Sequence, residues 1–382
     1  MRRLVLPASY GKTMLNNINA VIMLHNKGGE PAMGNVTIGM DLGDKNHAVC
    51  VFDQNGAICY QGTIPNRRDD LVRFFAQYHG ATVALEAGTH SPWISRLLET
   101  LGCQVLVGNP RKLRVIWDSD RKNDSRDAEM LARIARFDPR LLYPINHREE
   151  QAQVDMELLQ ARDMLVKTRT SLINHVRGTV KALGGRLGSC SAACFHRKAK
   201  EELPEMLKAV ALPVLEIIEQ LTDRITSYDK AIKELCQTRY PETELLMGIK
   251  GIGALTALAF ILVLEDPSRF ANSRQVGSYL GLTPRRDQSG ETDKQLRITK
   301  AGNPFLRRLL VGAAQYILGP FGEDCNLRRF GQRICDRGGK NGKRRAVVAV
   351  ARKLAVLLHH LWVTGEVYDP LYRPSGALQK AA

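Results

Sequence analysis

The stretch Val36-Thr37-Ile38-Gly39-Met40-Asp41 decides the fold of the first third of this 382-residue chain. An apolar run that ends in a carboxylate predicts a short buried strand with Asp41 at its carboxyl end. The segment Thr82-Val83-Ala84-Leu85-Glu86 repeats the pattern. Because the carboxyl ends of parallel strands meet at one edge of an α/β sheet, where such sheets bind their ligands, Asp41 and Glu86 are candidate site residues.

The neighbouring residues predict the rest of an α/β domain. Two further strands are predicted at 47–52 and 58–63, joined as a hairpin by the turn Asp53-Gln54-Asn55-Gly56. Helices are predicted at 69–79 and 91–101, and another strand at 104–107. Three antiparallel strands followed by alternating helices and strands is the order of the ribonuclease-H-like fold. That fold places acids from its first strand, a middle strand and a late helix in one cleft.

A second acidic pair lies at the head of a predicted helix. Asp124 and Asp127 are three residues apart, just ahead of apolar positions with helical spacing, so they share one helical face. Carboxylate oxygens brought together in this way suit Mg²⁺, which favours one or two carboxylates plus phosphate oxygens; Mn²⁺ is an alternative ion. Any one of these acids taken alone is more typical of a helix cap or a solvated turn.

The net charge of +16 is unevenly distributed. Residues 241–382 hold 22 Lys and Arg against 12 Asp and Glu. Such an excess indicates a polyanionic partner, so we expect the C-terminal part to bind nucleic acid. The eight cysteines form no CxxC pair, which argues against a zinc finger or a disulfide framework and is typical of a reduced cytoplasmic protein. We expect no membrane-spanning segment and a poorly ordered extension over residues 1–34.

From residue 149 onward the apolar pattern is helical. One seam contains Leu158, Leu165 and Leu172, and a second runs from Val214 to Leu235 in steps of four and three. Such a 4-3 stripe predicts either an antiparallel helical hairpin or an intermolecular coiled coil. A helix packed on its own domain is an equally good interpretation of the first seam. The second seam favours helix pairing and, with it, an oligomer.

The last region combines a glycine-containing turn with clustered cations. Leu246-Met247-Gly248-Ile249-Lys250-Gly251-Ile252-Gly253 precedes an apolar helix. Glycines at this spacing predict a helix-hairpin-helix element whose backbone N–H groups bind a phosphate, although a plain interhelical turn is a fair rival. Two clusters of cations follow, and we predict phosphate contacts for them. The predicted nucleic-acid contacts are Lys250, Gly251, Gly253, Arg285, Arg286, Lys294, Arg297, Lys300, Arg307, Arg308, Lys343, Arg344 and Arg345.

Several classes of enzyme contain a strand that ends in the sequence Asp-x-Gly. Sugar kinases and actin-like ATPases contain it, but they repeat the loop in a second half, and no such repeat occurs here. The chain also lacks a Walker A loop. Acidic residues in one half and basic residues in the other suit metal-dependent cleavage of a polynucleotide. The residues alone therefore indicate a metal-dependent nuclease, integrase or recombinase.

Two sets of motifs make the identification narrower. Ile38-Gly39-Met40-Asp41, Leu85-Glu86-Ala87-Gly88-Thr89 and Lys122-Asn123-Asp124-Ser125-Arg126-Asp127-Ala128 resemble the RuvC-like DEDD domain of transposases of the insertion sequence 110 family. Gly281-Leu282-Thr283-Pro284-Arg285-Arg286, with Ser289-Gly290 and Lys300-Ala301-Gly302-Asn303, resembles the second domain of that family. The resemblance covers residues 36–363.

The resemblance implies a DNA recombinase of a bacterial mobile element. Asp41, Glu86, Asp124 and Asp127 would hold Mg²⁺, and Ser289 would attack the DNA phosphate to form a covalent phosphoserine, assisted by charge from Arg285 or Arg286. The residues alone give no preference for Ser289 over Thr283, Thr292 or Thr299. The family also implies a homo-oligomer, a dimer or tetramer in which the metal site of one subunit meets the serine of another, and a structured guide RNA.

The resulting domain map has five parts. It comprises an extension at 1–34, a RuvC-like DEDD catalytic domain at 35–147, a helical linker at 148–240, a mainly α-helical transposase domain at 241–367 and a tail at 368–382. We expect the protein to be cytoplasmic and associated with the nucleoid. Two rival functions remain: a Holliday-junction-type endonuclease that uses metal-activated water, and a nucleic-acid-binding structural protein in which the acids are remnants.

Overall fold

The chain divides into two compact units, residues 1–148 and 149–382. The computed structural model describes residues 36–113, 123–289, 292–339 and 341–372. The predicted extension, Lys122, Gly290 and most of the predicted tail lie outside the described residues, so the expectations for them stay predictions. The predicted helical linker and the predicted transposase domain both belong to the second unit.

A five-stranded sheet organises the first unit. Its strands are β1 (Thr37–Asp41), β2 (Asn46–Phe52), β3 (Ile58–Pro65), β4 (Thr82–Glu86) and β5 (Gln104–Gly108). Their order in the sheet is β3-β2-β1-β4-β5. Strands β1, β2 and β3 are antiparallel to one another, whereas β1, β4 and β5 run parallel. The predicted mixed α/β character of the N-terminal part is therefore confirmed.

Helices cover the two faces of this sheet because both faces are apolar. One face presents Ile38, Met40 and Val49 to α1 (Arg68–Phe75) and α2 (Ser91–Thr100). After β5 comes the short helix α3 (Pro110–Leu113). Helix α4 (Asp124–Phe137) packs on the opposite face, where Ala128 and Ala132 contact Ala48, Cys50 and Phe52 of β2. Because successive side chains along a strand point to opposite faces, these two groups of residues lie on opposite sides of the sheet.

Gly39 lets α4 lie unusually close to the central strand. A Cβ atom at this position would lie 1.8 Å from the carbonyl oxygen of Ala128 and 2.6 Å from the amide nitrogen of Ala132. Because both are backbone atoms, no side-chain rotation relieves the overlap. The absence of a side chain at Gly39 therefore fixes the height of α4 above the sheet.

An antiparallel helical hairpin begins the second unit. Helix α5 (Glu150–Ala182) pairs with α7 (Glu205–Thr238), and the short helix α6 (Phe195–Glu202) lies between them in sequence. Arg162 Nε lies 2.9 Å from Asp229 Oδ1, and Arg169 Nη1 lies 3.2 Å from Thr222 Oγ1. The later residue of α5 therefore contacts the earlier residue of α7, so the two helices are antiparallel. Of the two predicted interpretations of the 4-3 stripe, the structure shows the hairpin within one chain.

A buried carboxylate joins the start of α5 to the end of α7 at the base of this hairpin. Asp155 is 4% exposed. It accepts hydrogen bonds from Arg239 Nη1 at 2.6 and 2.7 Å, from the Tyr240 hydroxyl at 2.7 Å and from Gln151 Nε2 at 3.1 Å. The aspartate thus has several donors for its lone pairs, as a buried charge requires.

A single apolar core holds the rest of the second unit together. It is centred on α9 (Ala254–Leu264), whose residues from Thr256 onward are all buried. Met156 and Leu159 of α5 enter the same core. The other helices around it are α8 (Thr243–Met247), α10 (Arg274–Tyr279), α11 (Pro304–Leu318), α12 (Asn326–Asp336) and α13 (Gly342–Thr364).

A two-stranded antiparallel ribbon interrupts these helices and was not predicted from the sequence. It consists of β6 (Pro284–Ser289) and β7 (Thr292–Ile298). Every residue of β6 is exposed. Polar side chains dominate the ribbon, and its two large apolar residues, Leu296 and Ile298, are too few to form the apolar alternation that predicts a strand. The second unit remains mainly helical, as expected.

Helix α13 is long and apolar enough, by length and composition, to cross a membrane, whereas the sequence suggested no such segment. Ala346, Val350 and Leu354 of this helix are fully buried in the core, and Trp362 packs edge-on against Phe260 at a centroid distance of 6.3 Å. Its apolar composition follows from its position in a protein core.

Candidate active site

The four predicted acids belong to the same edge and the same face of the sheet. In the parallel pairing of β1 with β4, Met40 lies opposite Leu85, so the next residues, Asp41 and Glu86, are neighbours at the carboxyl ends of the two strands. Asp41 is two residues after Gly39, which faces α4. Glu86 is two residues after Ala84, which packs against α4 side chains. Both carboxylates therefore lie on the α4 side of the sheet.

The direction of α4 brings the other two acids to this edge. Arg136, near the end of the helix, donates hydrogen bonds to the carbonyl oxygens of Asp53 and Gln54, in the turn after β2. That turn lies at the opposite edge of the sheet, beside the start of β1. The first turn of α4, with Asp124 and Asp127, therefore lies toward Asp41. Asn123 is the N-cap, and its Oδ1 accepts from Ser125 N at 3.1 Å, so neither aspartate is the cap.

The carboxylates line the edge without forming a closed cage. Among the described residues, no three His, Cys, Asp or Glu side chains are close enough together to hold a metal ion. Asp41, Glu86 and Asp127 are partly exposed, and Asp124 is exposed. This donor set fits a cation bound by one or two carboxylates and completed by phosphate oxygens, the arrangement that Mg²⁺ favours. The roles of the individual acids stay predictions.

Two histidines near this edge were not singled out from the sequence. His90 Nε2 lies 3.4 Å from Asp44 Oδ1, and Trp93 Nε1 lies 3.5 Å from His90 Nδ1. His47, in β2, is fully buried, and neither of its ring nitrogens has a hydrogen-bond partner among the described residues. Burial lowers the pKa of His47 from its ordinary value of 6.5, because a charged imidazole loses its hydration there.

The glycine turn of the second unit connects two helices, and its prediction as a helix-hairpin-helix element rather than a plain interhelical turn stays a prediction. Helix α8 ends at Met247, and α9 begins at Ala254. Gly251 has a φ of +98°, a conformation that favours glycine. Gly253 is the N-cap of α9 and has no side chain to bond the first amides. Such a helix end suits a phosphate, and Lys250 is 69% exposed beside it, 3.8 Å from Glu323.

The predicted nucleophile lies on the exposed ribbon. Ser289 is the last residue of β6, and its backbone pairs with Thr292. The predicted cations Arg285, Arg286, Lys294 and Arg297 belong to the same ribbon and are exposed. Sequence reasoning had identified these residues as candidates but not the strand pairing that arranges them.

Other predicted cations have partners inside the second unit. Arg307 Nη1 donates to the carbonyl oxygens of Leu280 and Ala301, at 3.0 and 2.7 Å. Arg308 Nη2 lies 2.7 Å from Asp163 Oδ1. These two arginines therefore stabilise the fold, and their contact with nucleic acid stays a prediction. Lys343, Arg344 and Arg345 are exposed in the first turn of α13.

Comparison with protein families decides the identity. The model described as "Transposase IS116/IS110/IS902 family" matches residues 243–322, and a transposase model for the DEDD domain of IS110 elements matches residues 38–184. The chain belongs to the IS110 family of transposases. The matched regions contain the four acids and Ser289, and they carry the motifs that first suggested this family. The transposase is accordingly an enzyme of DNA recombination, with DNA as its substrate.

Individual relatives agree with this assignment. The transposase is 28% identical over 345 residues to the transposase for insertion sequence element IS1111A of Coxiella burnetii, covering 87% of this chain and 90% of that protein. It is 29% identical over 289 residues to the transposase for IS1328 of Yersinia enterocolitica, covering 74% and 84%. A pilin gene-inverting protein of Moraxella lacunata is 32% identical over 145 residues, covering 37% and 44%.

Proposed function

We propose that this transposase cuts and rejoins DNA strands with a RuvC-like DEDD domain that binds a divalent cation and with Ser289 as the nucleophile. The observation that carries the proposal is the placement of Asp41, Glu86, Asp124 and Asp127 at one edge and on one face of the sheet. The strand order and the mixed strand directions support a ribonuclease-H-like domain. A structural protein has no need for four carboxylates at this edge.

The acids would hold Mg²⁺, or Mn²⁺ in its place, which supplies charge neutralisation at the scissile phosphate and at the departing 3′ oxygen. The fold holds the four carboxylates in a fixed orientation before the DNA binds. Asp41 and Glu86 are attached to neighbouring buried strands. Asp124 and Asp127 belong to a helix whose height above the sheet is set by Gly39. Such rigid support is what a site for phosphoryl transfer requires.

The proposed step exchanges one phosphoester bond for another. Ser289 Oγ forms a bond to phosphorus while the bond from phosphorus to the 3′ oxygen breaks. The serine proton passes to solvent, and the departing 3′ oxygen takes a proton from water. A 3′ hydroxyl and a serine-linked 5′ phosphate result. The 3′ hydroxyl of another strand then attacks the same phosphorus, and the bond from phosphorus to Ser289 Oγ breaks. One phosphoester bond forms for each one that breaks, so bond energy is conserved.

The exposed cations of the second unit support binding to the DNA backbone. A two-stranded ribbon is narrow enough to enter the major groove of DNA. The first turn of α13 contains Lys343, Arg344 and Arg345 and no acidic residue. Cations at a helix N-terminus are unfavourable for the helix itself, and a bound phosphate would compensate for this placement.

We further propose a structured guide RNA and a homo-oligomer, the two partners that the family resemblance implies. Contacts directed at phosphates position a nucleic acid without reading its sequence, so base pairing with an RNA would supply the choice of target. The large excess of positive charge supports two nucleic-acid partners. We place the protein in the cytoplasm, at the nucleoid.

A covalent adduct distinguishes this function from its rivals. The full-length protein would be expressed from its complete element, with the noncoding flanks, and protein-linked DNA would be recovered under denaturing conditions. We expect an adduct from the wild type and from Thr283→Ala and Thr299→Ala, and none from Ser289→Ala. Asp41→Asn and Glu86→Gln should lose cleavage but still bind DNA. Cleavage without an adduct would instead favour the Holliday-junction-type endonuclease, and binding without cleavage would favour a structural protein.

A further inference from the structure

The strand pairing of the β6–β7 ribbon divides its charged residues between two faces. Ser289 pairs with Thr292 and Asp287 pairs with Lys294, whereas Gln288 pairs with Asp293. Since side chains alternate along each strand, Ser289, Asp287 and Lys294 belong to one face. Arg286 and Asp293 belong to the other.

A side-chain contact supports this division independently. Arg286 Nη2 lies 2.8 Å from Asp293 Oδ2, across the ribbon. The two residues are diagonal neighbours on the face away from Ser289. The ion pair with Asp293 therefore holds Arg286 on the face opposite Ser289, where it cannot assist the serine. Arg285 lies at the irregularity between Pro284 and Arg286, where simple alternation does not fix its direction.

Lys294 is the cation that the register places on the face of Ser289. The two residues are diagonal neighbours across the strands, a separation of about 7–8 Å that long side chains span. Lys294 is exposed, and no hydrogen bond or ion pair joins it to another described residue. A phosphate group in contact with Ser289 Oγ would lie within reach of its ammonium group.

We infer that Lys294 binds a non-bridging oxygen of the phosphate that Ser289 attacks, and that Arg286 does not. This inference rests on the proposed function of Ser289. Lys294 would neutralise the charge that develops on the phosphate oxygens during attack. Arg286 would instead pair with Asp293 and stabilise the ribbon.

Single substitutions on the two faces test the inference. The full-length protein, expressed from its complete element, would be compared as wild type, Lys294→Gln, Lys294→Arg, Arg286→Gln and Gln288→Ala. Removal of one group that stabilises transition-state charge lowers a rate by about 100-fold or more, and we expect this loss of adduct formation for Lys294→Gln. Lys294→Arg should restore most of the rate. Arg286→Gln should lose much less of the rate than Lys294→Gln, and Gln288→Ala, the matched control on the face of Arg286, should form adduct nearly as fast as wild type.

A neutral phosphate analogue separates charge neutralisation from a structural effect. Once adducts have located the scissile phosphate, a methylphosphonate at that position removes the charge of one non-bridging oxygen. The difference in rate between wild type and Lys294→Gln should then largely disappear. Equal losses in Lys294→Gln and Arg286→Gln, or a persistent difference on the methylphosphonate, would overturn the inference while leaving Ser289 as nucleophile. Adduct formation by Ser289→Ala would overturn the proposed function itself.

Discussion

Replacing Gly39 with alanine tests whether the close approach of α4 to β1 creates the acidic edge. The added Cβ would lie 1.8 Å from the carbonyl oxygen of Ala128, and contacts under 3.0 Å essentially never occur. The helix must therefore move outward by about 1.2 Å or more. Overpacking of this kind costs about 1–3 kcal/mol, and we expect the upper end because both opposing atoms belong to the backbone.

The effect on activity should exceed the effect on stability. Asp127 is adjacent to Ala128, so the displacement moves a proposed metal ligand. A shift of about 1 Å at a catalytic group lowers a rate by about 100-fold. We expect Gly39→Ala to form DNA adducts at least this much more slowly at a temperature where the protein remains folded.

Hydrogen exchange and adduct formation would be measured on the same samples. Peptides from residues 37–52 and 124–137 should exchange faster in Gly39→Ala, whereas peptides of the second unit should be unchanged. Gly88→Ala is the matched control, because a Cβ there would have no atom within 4 Å. Wild-type exchange and wild-type activity in Gly39→Ala would refute the packing argument.

Three further predictions concern stability and binding. Asp155→Ala should lower the free energy of unfolding of the second unit by about 3 kcal/mol, because it leaves buried donors without their carboxylate. Asp229→Ala removes a more exposed ion pair and should lower it by less than about 1 kcal/mol. Urea unfolding measures both changes. The pKa of His47 is lowered in the folded state, so the unfolded state binds more protons below pH 6.5. Stability of the first unit should therefore fall as pH drops below this value, and His47→Gln should weaken that dependence in thermal unfolding. Substituting Lys343, Arg344 and Arg345 with glutamine should lower the salt dependence of DNA binding by about 0.9 in log–log slope per lost phosphate contact; an unchanged slope would exclude them from the interface.

Sequence patterns predicted the first unit well because its strands are short apolar runs with clear turns between them. The run from Val36 to Asp41 and the run from Thr82 to Glu86 became adjacent parallel strands. The helix that begins at Asp124 also agrees with the prediction. Periodicity could not show that α4 lies almost in contact with the backbone of β1, since a glycine in a strand has several explanations.

The arrangement around Ser289 could not be predicted from the sequence, for a different reason. The ribbon has two large apolar residues, Leu296 and Ile298, which are too few for helical or strand periodicity to mark it. Its register separates Arg286 from Ser289 and brings Lys294 to the face of the serine, a distinction that depends on pairing between strands. In the same way, Arg307 resembled a phosphate contact in sequence, whereas the structure directs it to two backbone carbonyl groups.

We propose that the acids of β1, β4 and α4 form one binding region for a divalent cation, which one or two of the carboxylates bind directly. Fe²⁺, substituted for Mg²⁺ in the full-length protein, generates hydroxyl radicals with ascorbate and peroxide and cuts the polypeptide next to its binding site. We expect cuts near residues 41, 86 and 124–127 that excess Mg²⁺ suppresses and that Asp41→Asn abolishes together. Mg²⁺-sensitive cuts confined to other parts of the chain, or cuts at these positions that survive Asp41→Asn, would contradict it.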